Sequence, residues 1–125
     1  MTTPDERLRS LRYAEELLGR IADDAHVPAA VRQRARDLAM AFPEQRELLA
    51  GIKTPGVMLT PTGAQAVFDA GVFFARLGRP DIADDESRML LETVMRHYPT
   101  TQDGWRDARH LQSVPLADLL AEENM

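Results

Sequence analysis

The stretch that decides the fold class is TPTGAQAVFDAGVFFARL, which runs from Thr60 to Leu77. Thr60 followed by Pro61 is a helix-start signal, because a threonine side chain caps the first turn and a proline fits the first helical position. Within the helix, a narrow polar strip is formed by Thr62, Gln65, Asp69 and Arg76. A helix that is apolar over the rest of its circumference is typical of a domain centre or an interface. The stretch therefore predicts a long central helix in an all-α protein.

The apolar spacing of this helix predicts which side chains it buries. One stripe at helical spacing is formed by Ala64, Val67, Phe68, Gly71, Val72 and Ala75. On this pattern we expect Phe68 and Val72 to be almost fully buried. Phe73 lies opposite the stripe, and we expect it at the surface or in an interface.

The same helix-start signal opens the chain. Thr3 and Pro4 are followed by Glu6, and this spacing is that of a capping box. Apolar residues at helical spacing follow and predict a helix over about residues 4–24. A second amphipathic helix, ended by a proline, completes a predicted helical hairpin over residues 4–43.

The rest of the chain divides in the same way. A short helix and a linker are predicted over 44–59, a second hairpin over 60–99 with its second arm beginning near Asp81, and two short helices over 100–122. A chain of 125 residues is long enough for one compact core. We therefore predict a single all-α domain over 1–125, a small bundle of five to seven helices built from two hairpins.

Composition excludes several classes of protein. The chain has no cysteine, which excludes a disulfide scaffold, a Cys-ligated zinc site and thiol chemistry. No basic-then-apolar leader opens it, and its longest uncharged stretches carry polar residues or are too short for a membrane span. We therefore expect a cytoplasmic protein that does not associate with a membrane.

The chain is acidic, and all but one of its basic residues are arginine. Lys and Arg total 15 against 20 Asp and Glu, a net charge of -5, and Lys53 is the one lysine. Arginine abundance is typical of nucleic-acid or carboxylate recognition, but codon bias in a GC-rich genome gives the same composition. Neither half of the chain is basic enough to give the electrostatic footprint of a duplex binder.

One segment nevertheless resembles a DNA-binding motif. Residues 21–40 resemble the helix-turn-helix of bacterial repressors, in which the second helix enters the major groove. His26 stands where the turn usually has glycine, and the hairpin is one residue short. The alternative is a plain antiparallel hairpin with solvated ion pairs. If the motif is real, the residues that contact bases or phosphates are Arg32, Gln33, Arg34 and Arg36.

The C-terminal helix presents an apolar face that needs a partner. At about eight residues it is too short to be stable alone. Its leucines either enter a groove of another protein or of a second copy of this chain, or cover the core of the same chain beside Trp105. The candidate protein-interaction residues are Phe73, Trp105, Leu116, Leu119 and Leu120.

Catalytic and metal-binding signatures are missing. The acidic cluster over 81–86 lacks the spacing of a calcium loop, and acids are favoured at a helix start in any case. Asp103, Asp107 and His110 share one predicted helix face, without the spacing of a zinc site. No serine sits in a glycine elbow, and no glycine-rich phosphate loop is present. We therefore predict no enzyme activity, no metal and no cofactor.

The N-terminal part also resembles a group of short, uncharacterised proteobacterial proteins. The resemblance rests on Met-Thr-Thr-Pro-Asp-Glu-Arg at 1–7, Val-Pro-Ala-Ala-Val-Arg at 27–32 and Phe-Pro at 42–43. Members of that group open with Met-Thr-x-Pro-x-Glu-Arg-Thr and end a hairpin in Arg-His-Tyr-Pro. Here Leu8 replaces the last threonine, and Arg-His-Tyr-Pro stands at 96–99 in the second half. The resemblance covers about the first 50 residues and implies a bacterial, all-helical protein, with no site residue carried over.

These observations favour a non-enzymatic protein–protein interaction module, such as an accessory, immunity or regulatory factor. Its partner is then another protein or a second copy of itself. The alternative function is a DNA-binding transcriptional regulator that uses the degenerate helix-turn-helix at 21–40.

Overall fold

The computed structural model describes residues 3–78, 81–82, 84–98 and 108–121. In these ranges the chain forms seven α-helices and no strand, which confirms the predicted all-α class. The helices are α1 (Pro4–Asp23), α2 (Ala29–Ala41), α3 (Gln45–Lys53), α4 (Pro61–Arg76), α5 (Asp85–His97), α6 (Ala108–Ser113) and α7 (Leu116–Ala121).

Both predicted helix-start signals form the expected caps. In α1 the Glu6 N–H donates to Thr3 Oγ1 at 3.2 Å, and the Thr3 N–H donates to Glu6 Oε1 at 3.0 Å. In α4 the Gly63 N–H donates to Thr60 Oγ1 at 3.0 Å. These bonds satisfy N–H groups that no helical carbonyl can reach, so the starts of both helices are fixed locally.

The centre of the bundle is α1 rather than α4. It packs against α2, α5 and α7, while α4 packs against α2, α5 and α6. The second arm of the hairpin predicted over 60–99 therefore lies mainly along the first hairpin, since α5 contacts α1 far more than it contacts α4. The residues that α1 buries are Arg7, Ser10, Leu11, Ala14, Leu17, Leu18, Ile21 and Ala22.

The start of α5 differs from the prediction. The helix begins at Asp85, because the carboxylate of Asp84 accepts the Ser87 N–H at 3.0 Å and caps the first turn. Asp81, which was expected near the helix start, instead accepts the Gly78 N–H at 2.8 Å in the preceding loop.

The rotation of α4 corrects the predicted burial. Phe68 is half-buried, Val72 is 36% exposed, and Phe73 is half-buried rather than at the surface. The helix is apolar over so much of its circumference that the stripe alone does not fix its rotation. Its buried residues are Gly63, Ala64, Ala66, Val67, Ala70, Gly71 and Phe74.

The C-terminal helix completes the core of its own chain. Leu116, Leu119 and Leu120 are 1%, 0% and 1% exposed, and α7 packs on α1 and α3. The Leu116 N–H donates to the Val57 carbonyl at 2.8 Å, and Arg7 Nη1 donates to the Leu120 carbonyl at 2.6 Å. Of the two alternatives drawn from the sequence, this structure shows the second: the leucines cover the core of their own chain.

Tyr98 joins the end of α5 to α4. Its O–H donates to the Val67 carbonyl at 2.6 Å, and its ring meets the edge of Phe74 with the centroids 5.8 Å apart. Burial, with a contribution from the charge of Asp69, raises the pKa of Tyr98 well above its usual range. The phenol therefore stays neutral and keeps its hydrogen bond.

Candidate functional site: a groove between α2 and α4

A groove of about 470 Å³ lies between α2 and α4, with Gln112 of α6 at its margin. The two helices run antiparallel here. Arg34, in the first half of α2, lies 3.9 Å from Asp69 in the second half of α4. At the other end, a Cβ added to Gly63 would lie 3.2 Å from Pro43 Cγ, just beyond α2. We call this feature the α2–α4 groove.

The apolar residues that line the floor of the groove are largely buried. Leu38 and Ala66 are each 3% exposed, and Ala41 is half-buried between them and solvent. Because two of these three side chains are methyl groups, the facing helices leave room for a side chain from outside. An apolar floor beneath a few polar groups is typical of sites that bind another molecule.

The rim of the groove carries ordered polar groups. Gln65 Nε2 donates to Asp69 Oδ1, and Gln33 Nε2 donates to Asp37 Oδ1, both at 2.9 Å. Each pair is four residues apart on one helix, the spacing at which side chains meet. The only bridge described between the two rims is the 3.9 Å contact of Arg34 Nη2 with Asp69 Oδ2. Exposed ion pairs of this kind contribute about 0–1 kcal/mol, so a ligand can displace it at little cost.

The rim of the groove carries more negative than positive charge. The lining residues include one guanidinium, that of Arg34, and two carboxylates, those of Asp37 and Asp69. The rim is therefore net negative, like the chain as a whole. A complementary ligand combines an apolar side chain for the floor with at least one cation for the rim.

Exposed apolar side chains flank the groove on both helices. Met40 of α2, three residues after Asp37, is 82% exposed, and Val72 of α4, three residues after Asp69, is 36% exposed. Methionine is flexible and polarizable, and it is common on surfaces that adapt to a partner. Exposed apolar surface on α2 and α4 thus extends beyond the residues that line the groove.

The four residues of the DNA-binding alternative lie on α2 and make several contacts within the chain. Arg34 lines the α2–α4 groove, whereas Gln33 is bonded to Asp37. Arg36 Nη2 donates to the Ala22 carbonyl at 3.3 Å and its Nη1 donates to Gln33 Oε1, while Arg32 is half-buried. Several of these donors are therefore already used within the chain.

The predicted interaction residues do not form one surface either. Phe73 packs against the core with its ring centroid 5.9 Å from that of Phe74, and the three leucines of α7 are buried. Trp105 lies outside the described residues. Sequence reasoning missed the groove, although the polar strip of α4 was a signal: Gln65 and Asp69 of that strip form one of its walls.

The acidic cluster singled out in the sequence pairs with an arginine in the structure. Asp84 and Glu86 both pair with Arg20, at 3.0 and 3.1 Å, as acids in the first turn of a helix can. No three acidic or histidine side chains among the described residues are grouped as metal ligands would be. Asp103, Asp107 and the side chain of His110 lie outside the described part. None of the described helices combines the length and apolar character that a membrane span requires.

Comparison of the chain with family models, with curated proteins and with solved structures gave no significant match. The resemblance of the first 50 or so residues to the short proteobacterial proteins therefore stays a prediction.

Proposed function

We propose that this protein is a non-enzymatic interaction module of the bacterial cytoplasm that binds a segment of another protein in the α2–α4 groove. The observation that carries the proposal is the groove itself, whose floor of half-buried Ala41 and largely buried Leu38 and Ala66 lies between two polar rims. An accessory, immunity or regulatory factor needs such a surface, and it needs no catalytic group.

The groove favours an amphipathic helix as its occupant. Two antiparallel helices form a trough into which the side-chain ridge of a third helix can pack. Helices recognised in this way insert apolar anchors spaced at i, i+3 or i+4, and i+7. The carboxylates of Asp37 and Asp69 favour a lysine or arginine beside those anchors.

The proposal can be tested with a display library of amphipathic helical peptides selected against the wild-type protein. The affinity of each selected peptide is then measured for the wild type and for Ala41→Arg, whose long side chain fills the floor. We expect Ala41→Arg to weaken binding by about tenfold or more, as the loss of a central contact usually does. The matched control is Ala30→Arg, the same change at an exposed position of the same helix.

Other results would contradict the proposed function. Selected peptides that bind both variants as tightly as the wild type would place the recognition surface elsewhere. Thermal melts of both variants check that the fold is intact. Duplex DNA, added at low salt, tests the regulator alternative: binding that disappears in the Arg32→Ala, Arg34→Ala double variant would favour it over the proposal.

A further inference from the structure

A second, smaller cleft lies on another face of the bundle, between α1 and α5. Its volume is about 260 Å³, and we call it the α1–α5 crevice. The first turns of α1 contribute Glu6, Arg9 and Tyr13, and the end of α5 contributes Arg96 and His97. Residues 6, 9 and 13 recur at helical spacing, so they share one face of α1.

Glu6, the acidic side chain of the crevice, already has partners within the chain. Glu6 Oε2 lies 2.9 Å from His97 Nε2, while Glu6 Oε1 accepts the Thr3 N–H at 3.0 Å. Hydrogen bonds from Thr3, together with the charge of His97, lower the pKa of Glu6. The carboxylate is thus ionised and held against α1 by these hydrogen bonds, and the two arginines of the crevice outnumber this one carboxylate.

The crevice also contains two arginine side chains. Arg9 and Arg96 stand on facing helices, both exposed, and no described acidic side chain is bonded to either. The hydroxyl of Tyr13, whose side chain borders the same crevice, adds a donor; this residue is 37% exposed. The crevice thus places two guanidinium groups on one surface, and an anion bound there would offset their mutual repulsion.

We propose that the α1–α5 crevice binds a phosphoryl group, as inorganic phosphate or as a small phosphomonoester. Planar guanidinium forks match phosphate oxygens with paired hydrogen bonds. Two forks and a phenol offer more donors than the roughly four acceptor sites of one carboxylate, and a phosphoryl group has an additional oxygen to receive them. The volume of about 260 Å³ is below the roughly 300–1,000 Å³ of sites for drug-sized ligands, so the ester substituent is short.

The test is a titration of the full chain, labelled with ¹⁵N, with inorganic phosphate and with methyl phosphate, followed by amide chemical shifts. We expect saturable shifts at Ser10 and Thr93, which line this crevice, and about tenfold weaker binding in Arg9→Gln and in Arg96→Gln, because each loses charged hydrogen bonds. Tighter binding of the ester than of phosphate identifies a phosphomonoester as the ligand, and the reverse identifies the free ion. The matched control is Arg12→Gln, an exposed arginine of α1 that lines a different surface cleft and should leave binding unchanged.

Three results would overturn the proposal. Amide chemical shifts that increase linearly with phosphate concentration, without saturation, would mean that the crevice has no specific binding site. Acetate that binds as tightly as phosphate shows that the crevice does not select a phosphoryl group. Equal weakening by Arg12→Gln shows only a general attraction of anions to arginine. Because the substituted arginines are exposed, glutamine at these positions should leave the thermal melt unchanged, and the binding result can be interpreted for each variant.

Discussion

At the scale of single residues, two glycines differ in whether the surrounding structure leaves room for a side chain. A Cβ at Gly51 of α3 would lie 2.5 Å from Leu116 Cδ2 and 3.3 Å from Leu116 Cβ. Leu116 is buried, so it has little room to move. A Cβ at Gly19 of α1 would meet nothing within 4 Å. The absence of a side chain at Gly51 therefore allows α7 to pack closely against α3.

We predict opposite effects from the same substitution at these two positions. Gly51→Ala should lower the free energy of unfolding by about 1–3 kcal/mol, because the added methyl group overpacks the α3–α7 contact. Gly19→Ala should raise it by about 0.5–1 kcal/mol, because alanine loses less backbone entropy in a helix. Urea denaturation of both variants measures the difference, and a stabilising Gly51→Ala would refute the close packing of α7.

Buried polar residues are the part of the core that sequence patterns predict least well. Arg7 and Ser10 lie on the buried face of α1, where Arg7 reaches the Leu120 carbonyl and Ser10 Oγ donates to the Val94 carbonyl at 2.7 Å. Their acceptors are 113 and 84 residues away along the chain. Such bonds depend on which helices become neighbours, and helical periodicity carries no such information.

At the scale of elements, the caps were predictable and the rotation of α4 was not. Thr3 and Thr60 each act within a few residues, so the starts of α1 and α4 follow from local sequence. The rotation of α4 depends on its neighbours, and its apolar residues extend nearly all round the helix. Its few polar residues were the better guide: Gln65 and Arg76 are exposed in the structure.

Two valines of α4 test this rotation with one type of substitution. Val67 is 0% exposed and Val72 is 36% exposed. Val67→Ala should lower the free energy of unfolding by about 2 kcal/mol, from lost burial and the cavity left behind. Val72→Ala should change it by less than about 0.5 kcal/mol. Equal losses in the two variants, measured by thermal unfolding, would mean that the apolar stripe rather than the polar strip defines the buried face.

At the scale of the whole molecule, the arrangement of helices creates the candidate site. The all-α class and most helix boundaries were predictable, because prolines and caps mark them locally. The central place of α1 was not, since every long helix has an apolar face and could occupy the centre. The α2–α4 groove likewise joins Leu38 and Ala66, which are distant in sequence, and it exists only once the two helices lie antiparallel.

The most direct test of the proposed function is to map where a selected helical peptide binds on the ¹⁵N-labelled protein. Binding in the α2–α4 groove predicts that the largest amide shift changes fall on Leu38, Ala41 and Gln65, on both walls of the groove. We expect Tyr13, on the other face, to be unchanged. Changes concentrated instead on Val57 and Met58, which are 38% and 44% exposed, or on the α1–α5 crevice would contradict the proposal that the groove is the recognition surface.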